Sequence, residues 1–161
     1  MKSLDFLHKL KQEGKLETVD PSHEISQAYL IKSEKCTIAA KAVFNAGVYE
    51  NAVSEAYYSM YNTVLALFFY CGIKCENHSA SAILLRDVFR LTALHPVFSK
   101  FKTDRIDNQY YLTPEKAEPL SKEDCRKMLD IAERFNADLL FFLKKITIEE
   151  TKRIRKVIDA I

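Results

Sequence analysis

Arginine, histidine and tyrosine stand at spacings suited to phosphate chemistry at two places in this 161-residue chain. The first is Arg90-Leu-Thr-Ala-Leu-His95, where a permanently charged guanidinium and a titratable imidazole lie about one and a half helical turns apart. Such a pair can cleave RNA without a metal: His takes the ribose 2′-OH proton or protonates the leaving oxygen, while Arg stabilises charge on the phosphorane. The competing description is a surface Arg at a helix end and a His that happens to precede Pro96. So common a spacing favours that plainer description. The second place is Arg105-Ile-Asp-Asn-Gln-Tyr-Tyr111. An Arg and two tyrosines at a helix terminus can bind a phosphate and stack a base, the two contacts a single-stranded nucleotide offers. Equally, those tyrosines can cover a core while Arg105 pairs with Asp104 or Asp107.

Metal chemistry has a weaker basis. Cys71, Cys75 and His78 are spaced so that one helix end and its following turn can bring them together, but a fourth ligand would have to come from His95 or elsewhere. Cys71 also belongs to an apolar stripe, so packing is the favoured description and no metal or cofactor is expected. The chain lacks a Gly-rich phosphate loop, a nucleophile elbow and an H-E-x-x-H pair.

Composition narrows the setting of these groups. With 48% hydrophobic and 29% charged residues, the length suits one core, and folding should remove roughly 70% of the surface the unfolded chain exposes. Three Gly and four Pro are too few for the turns an all-β fold would need. A balance of 24 Lys+Arg against 22 Asp+Glu leaves +2, so any nucleic-acid contact must be local. Four cysteines without a secretory leader pattern point to reduced thiols and a cytoplasmic location. The longest apolar run, residues 64–73, is half of what spans a bilayer, so no membrane partner is expected.

The elements that must position the candidate groups are helices. Residues 3–13 carry Leu4, Leu7 and Leu10 at helical spacing, closed by Gly14. A second helix is expected from an Asp20 cap and Pro21 to Gly47. A third, residues 50–72, has Val53, Ala56, Met60, Val64, Leu67 and Cys71 in one stripe, widened by Tyr57, Tyr58, Tyr61, Leu65 and Phe68, which makes it the central helix. After a polar break at residues 74–78 come helices over 79–90 and, beyond the breaker Pro96, over 97–110. Thr113-Pro114 opens a loop that ends at Ser121, where Ser121 and Asp124 form a capping pair. The helix that follows has Cys125, Met128, Ala132, Phe135, Leu139, Phe142 and Ile146 in steps of three and four. Residues 144–161 carry six basic and three acidic groups and are read as a solvated face.

Three segments then resemble a known family. The run Ala46-Gly-Val-Tyr-Glu-Asn-Ala-Val-Ser-Glu-Ala-Tyr-Tyr-Ser-Met-Tyr-Asn62, followed by Leu65-Ala-Leu-Phe-Phe69 and Gly72-Ile-Lys-Cys-Glu-Asn-His78, is similar to the HEPN superfamily. Small prokaryotic members carry an "AxxRAYYAxFH" helix and a "GxxxxxHxG" turn. The resemblance runs from about residue 21 to 142. It implies an all-α, up-and-down bundle of four to five helices that commonly dimerises, with a groove at or near the dimer interface. Many members are encoded beside a minimal nucleotidyltransferase in toxin-antitoxin modules, and catalytic ones are metal-independent endoribonucleases with an Arg followed by a His.

In this subgroup the Arg sits in "R-Q-x-A-D-Y", onto which Arg105, Asn108, Gln109 and Tyr110 fall. Arg105 and Tyr110 match, Gln109 replaces the acid, and no His follows at the family distance. Glu55 stands where the tyrosine helix usually has Arg, and Asn62 where it often has His. The expectation is therefore a short N-terminal helix and linker over 1–20 and a HEPN-like bundle over 21–161. The bundle is expected to form a homodimer that binds RNA or a nucleotide and partners a nucleotidyltransferase. Arg105, Asn108, Gln109, Tyr110, Tyr58 and Asn62 are the expected binding residues. The alternatives are an active endoribonuclease using Arg105, with Arg90 and His95 as the fallback pair, and a non-catalytic helical adaptor.

Overall fold

The structure, a computed structural model, describes residues 2–110 and 119–161, with the side chains of residues 2 and 106–110 left outside the description. The described residues form α1 Lys2–Gln12, β1 Leu16–Thr18, α2 His23–Asn45, α3 Tyr49–Tyr70, β2 Ile73–Cys75, α4 His78–Asp87, α5 Leu94–Tyr110, α6 Lys122–Lys145 and α7 Ile148–Ala160. The all-α expectation holds, with seven helices where four to five and a short N-terminal one were expected.

The arrangement follows from α3. Its apolar residues lie around most of its circumference, and α2, α5, α6 and β2 cover it from every side. Val53, Met60, Val64 and Leu67 are fully buried, and so are Tyr57 and Phe68. Burying a Val, Leu or Met side chain contributes about 1.5–3 kcal/mol, so this one helix organises most of the core. No described helix is long and apolar enough to cross a membrane. The four cysteines are free thiols.

Several element boundaries differ from expectation, each for a local reason. Helix α2 is capped by Ser22, not Asp20: the Ser22 N–H donates to Phe69 O, holding Ser22 extended, while its hydroxyl accepts from Ile25 N at 3.1 Å. Pro96 does not break a helix but sits in the first turn of α5, where its missing N–H has no intrahelical partner to lose. Helix α4 ends at Asp87 rather than Arg90, and Arg90 adopts a left-handed φ of 60° in the link to α5. The loop expected from Thr113-Pro114 lies mostly outside the described residues, but its end is as expected: Ser121 Oγ accepts from Asp124 N at 3.0 Å.

The two-stranded antiparallel sheet is absent from the expectation. Leu16 pairs with Cys75, Glu17 with Lys74 and Thr18 with Ile73, within segments expected as linker and polar break. Three residues per strand are too few to show an alternating pattern. Leu16, Ile73 and Cys75 are nevertheless fully buried.

The tail is only partly a solvated face. Helix α7 buries Ile154 and Ile158, and two of its arginines serve the fold. Arg153 Nη2 donates to Val88 O at 2.6 Å. Arg155 Nη1 donates to Val19 O at 2.6 Å, Gly72 O at 2.9 Å and Cys71 O at 3.3 Å, placing a cation at the carboxyl end of α3. This junction requires Gly72. Its φ is +72°, and a Cβ there would stand 2.0 Å from Arg155 Nη1 and 2.5 Å from Val19 O. Gly72→Ala is expected to destabilise the fold by about 2 kcal/mol or more, read as a lower urea midpoint at an unchanged slope. A midpoint within error of the parent's would show that the junction relaxes freely.

Candidate functional site

The i, i+4 geometry of α3 sets two side-by-side rows against the start of α4 and the middle of α5. Tyr57 and Tyr61 form the inner row, their rings stacked with centroids 6.2 Å apart. Tyr58 and Asn62 form the outer row, and Asn62 Nδ2 donates to Tyr58 O at 2.7 Å. His78 opens α4 immediately after its cap, where Asn77 Oδ1 accepts from Ala80 N at 2.9 Å. The cap, together with the β1–β2 pairing just before it, fixes where His78 enters.

His78 is held on two sides. Its ring stacks on Tyr61 with centroids 3.9 Å apart and planes at 22°, and its Nδ1 lies 2.5 Å from the Tyr57 hydroxyl. Arg105, from α5, lies over both neighbouring phenol rings, with Cζ 5.3 Å from the Tyr57 centroid and 5.5 Å from that of Tyr58. Its Nη1 donates to the Tyr58 hydroxyl at 2.8 Å, while its Nε is buried with no partner among the described residues. Of the two carboxylates expected to pair with it, Asp104 accepts from Lys100 at 2.7 Å, and the side chain of Asp107 lies outside the described residues.

The electrostatics follow from burial beside a cation. Burial, followed by the charges of Arg105 and Lys102, brings the His78 imidazole down to about 4. Burial likewise pushes the Tyr57 and Tyr61 phenols above their ordinary value, so both keep their protons. Among the described residues the cluster thus sets the permanent cation of Arg105 against neutral aromatic rings. It borders a groove of about 470 Å³ lined by Tyr29, Lys32, Tyr58, Asn62, Glu76 and His78, among others. Lys32 Nζ stands 5.9 Å from the Tyr29 ring. Aromatic faces, the Lys32 ammonium, the Glu55 and Glu76 carboxylates and the Arg105 guanidinium beside the groove are groups that a base, a phosphate and a sugar or base amine would each contact.

The structure therefore brings together Arg105, Tyr58 and Asn62 from the expected set. Asn62 faces the groove from a mostly buried position, its amide N–H₂ committed to Tyr58 O and, at 3.7 Å, to Cys36 Sγ. Asn108, Gln109 and Tyr110 fall on the last turn of α5, with side chains outside the described residues. The fallback pair is not joined by any described contact. Arg90 sits in the α4–α5 link with its charge near Glu150, and His95 Nε2 lies 3.3 Å from Ser99 Oγ. Cys71, Cys75 and His78 do not converge either: Cys71 faces the Arg155 junction, Cys75 Sγ lies 3.9 Å from Asn77 O, and His78 turns to Tyr57. Among the described residues no three His, Cys, Asp or Glu side chains are placed to hold a metal.

The sequence presents His78 both as a metal-ligand candidate and as the His of the family-like turn Gly72–His78, and neither reading assigns it a place among the binding residues. Tyr57 and Tyr61 belong to the core as expected; the Tyr57 hydroxyl also meets His78, whereas the Tyr61 hydroxyl is buried without a partner among the described residues.

Residues 26–146 match the HEPN domain family model, well over half of the chain. The chain belongs to the HEPN domain family. It is accordingly a helical domain of a nucleotide- or RNA-related family. No curated protein matches it. The matched span holds α3, α4, α5 and α6 and with them the whole cluster, whereas α1, β1 and α7 lie outside it.

A neutral His78 makes the HEPN fold sensitive to acid. In the unfolded chain its imidazole takes a proton near 6.5, in the folded one only near 4, so the unfolded state binds more protons between those values. Stability should fall as pH drops from about 6.5 to about 4 and lose nothing further from this group below that. Urea midpoints for the parent and for His78→Gln, measured across that interval, should diverge, with the variant losing less. Parallel curves would mean that His78 is not held neutral.

Proposed function

We propose that this HEPN protein binds RNA or a nucleotide in the α3 groove, acts as a homodimer, and works with a minimal nucleotidyltransferase in a toxin-antitoxin-type module. The observation that carries the binding reading is the Arg105–Tyr58 hydrogen bond beside that groove. Tyr58 is a neutral acceptor, so the bond orients the guanidinium without cancelling its charge. Two phenol faces hold its plane, and a fixed planar fork is what bidentate phosphate recognition uses. Tyr110, one helical turn and a residue beyond Arg105, supplies either a stacking face or the hydroxyl that, on losing its proton, takes the nucleotidyl group of a nucleoside triphosphate held by the partner enzyme, with pyrophosphate as the leaving group.

Because α3 is covered within a single chain, the dimer reading needs another apolar surface. Support comes instead from α2, where Ile31 and Ile38, seven residues apart and so on one face, are 46% and 61% exposed. Sedimentation equilibrium should give a dimer at micromolar concentration and a monomer for Ile38→Glu. A monomeric parent would remove the dimer from the proposal and leave the groove.

For the groove, Arg105→Ala should weaken binding of adenosine monophosphate or of a short oligoribonucleotide by about 1.5–3 kcal/mol, while the urea midpoint stays near the parent's. Arg105→Lys should recover only part of that loss. Unchanged binding together with a large drop in stability would make Arg105 a structural residue and end the site assignment.

A further inference from the structure

Tyr57 is fully buried, and its hydroxyl carries one proton that must be donated to an acceptor. The acceptor in reach is His78 Nδ1 at 2.5 Å. If Nδ1 carried a proton instead, it would donate to the Tyr57 oxygen and leave the phenolic O–H with no described acceptor in the core. Burial keeps the phenol protonated, so ionisation does not resolve that conflict. The consistent assignment has Tyr57 donating to Nδ1 and the proton of a neutral imidazole on Nε2.

The rest of the ring's setting decides where that N–H points. The two ring nitrogens flank one carbon and their bonding directions diverge widely, so a ring whose Nδ1 is engaged by Tyr57 turns Nε2 away from that phenol, while the ring itself lines the groove. Stacking on Tyr61 fixes the ring plane, and no described residue hydrogen-bonds Nε2. The charged and titratable groups around the ring are Tyr57 and Tyr61 from α3, Arg105 and Lys102 from α5, and Glu76 at the groove's edge.

We infer that His78 is a binding residue of this groove, fixed by Tyr57 as a neutral Nε2–H donor that receives a phosphate oxygen of the ligand alongside Arg105. The inference rests on the nucleotide- or RNA-binding reading above and deepens it. Tyr57 is the positioning residue: it touches no ligand and acts by choosing the tautomer. An imidazole already protonated on its outward nitrogen is no general base there, and a neutral one is a poor general acid, so His78 recognises rather than transfers a proton. A neutral His polarising an oxygen acceptor has precedent as a mode of electrophilic recognition.

The tautomer can be read on the intact, ligand-free protein by long-range proton–nitrogen correlation with imidazole-labelled histidine near pH 7. The expected pattern for His78 is a pyrrole-type Nε2 and a pyridine-type Nδ1. A protonated Nδ1 would overturn the inference, and this spectrum stands whether or not any variant folds. Tyr57→Phe should convert the pattern to a mixture of tautomers, and an unchanged pattern would show that Tyr57 does not set it. Binding is then measured with adenosine monophosphate and with a short oligoribonucleotide. His78→Ala should weaken binding roughly tenfold, the scale of one hydrogen bond to a charged acceptor. Loss for both probes supports a terminal nucleotide phosphate as the ligand, and loss for the oligomer alone supports an RNA phosphodiester. If Arg105→Ala weakens binding and His78→Ala does not, the His78 assignment fails while the groove stands. If neither variant binds differently from the parent, the groove reading itself fails.

Discussion

Every other feature of this protein answers to the burial of α3. A helix with apolar residues around most of its circumference cannot rest on one layer, so it draws α2, α5 and α6 around itself and takes β2 across its end. That enclosure has a second consequence. The polar side chains that α3 also carries are taken out of water, and each must find a partner inside the protein or lie where the enclosure opens.

Two polar seams result, and they differ in kind. Toward α2 and α6, Ser59 Oγ lies 2.6 Å from Thr37 Oγ1 and accepts from Asn136 Nδ2 at 2.7 Å, while Ser33 Oγ donates to Ser59 O at 2.8 Å. These are short, uncharged groups that bond one another across three helices, with Asn136 Oδ1 left buried and without a partner among the described residues. Toward α4 and α5 the groups are longer and aromatic, and one of them is charged. The Tyr57–His78 and Arg105–Tyr58 bonds also close a seam, but its outer edge opens on a groove. Both seams border grooves, but the first is built of uncharged groups, whereas the second sets a guanidinium and an imidazole beside its groove, the two groups to which the proposed binding is assigned.

Much of this was legible in the sequence, and the failures share a cause. The α6 stripe with its Ser121 cap, the central α3 and the choice of Arg105 all follow from local patterns: three-four periodicity, capping pairs, an Arg next to tyrosines. What was missed depends on long-range placement. No window around Leu16 reveals that it will pair with Cys75, and no property of Arg155 alone reveals that its partners are Val19 and Gly72. His78 shows the same limit from the other direction. Its neighbours in sequence are Cys75 and Cys71, which suggest a metal, whereas its neighbours in space are two phenols and a guanidinium, which do not. Periodicity placed Tyr57 and Tyr61 in the core correctly, yet a tyrosine has an apolar body and a polar tip, and only the tertiary fold says what the tip meets.

The parts outside the family match bear on the cluster through a mechanical route. Arg155 of α7 holds the carbonyls of Cys71 and Gly72 where α3 ends, β1 pairs with the strand that follows, and that strand leads through the Asn77 cap directly into His78. Lys11 of α1 in turn donates to the Ile158 and Asp159 carbonyls at the end of α7, and Thr18 donates to the Asp159 carboxylate, so α1, β1 and α7 close on one another. The chain between α3 and α4 is short and makes a sharp reversal at a left-handed glycine, so small movements at Gly72 would displace the imidazole that depends on it. A hydrogen bond of 2.5 Å to a buried phenol tolerates little displacement. The terminal elements thus do for His78 what α5 does for Arg105: they hold one of the two side chains in place, and the binding proposed for the groove depends on both supports.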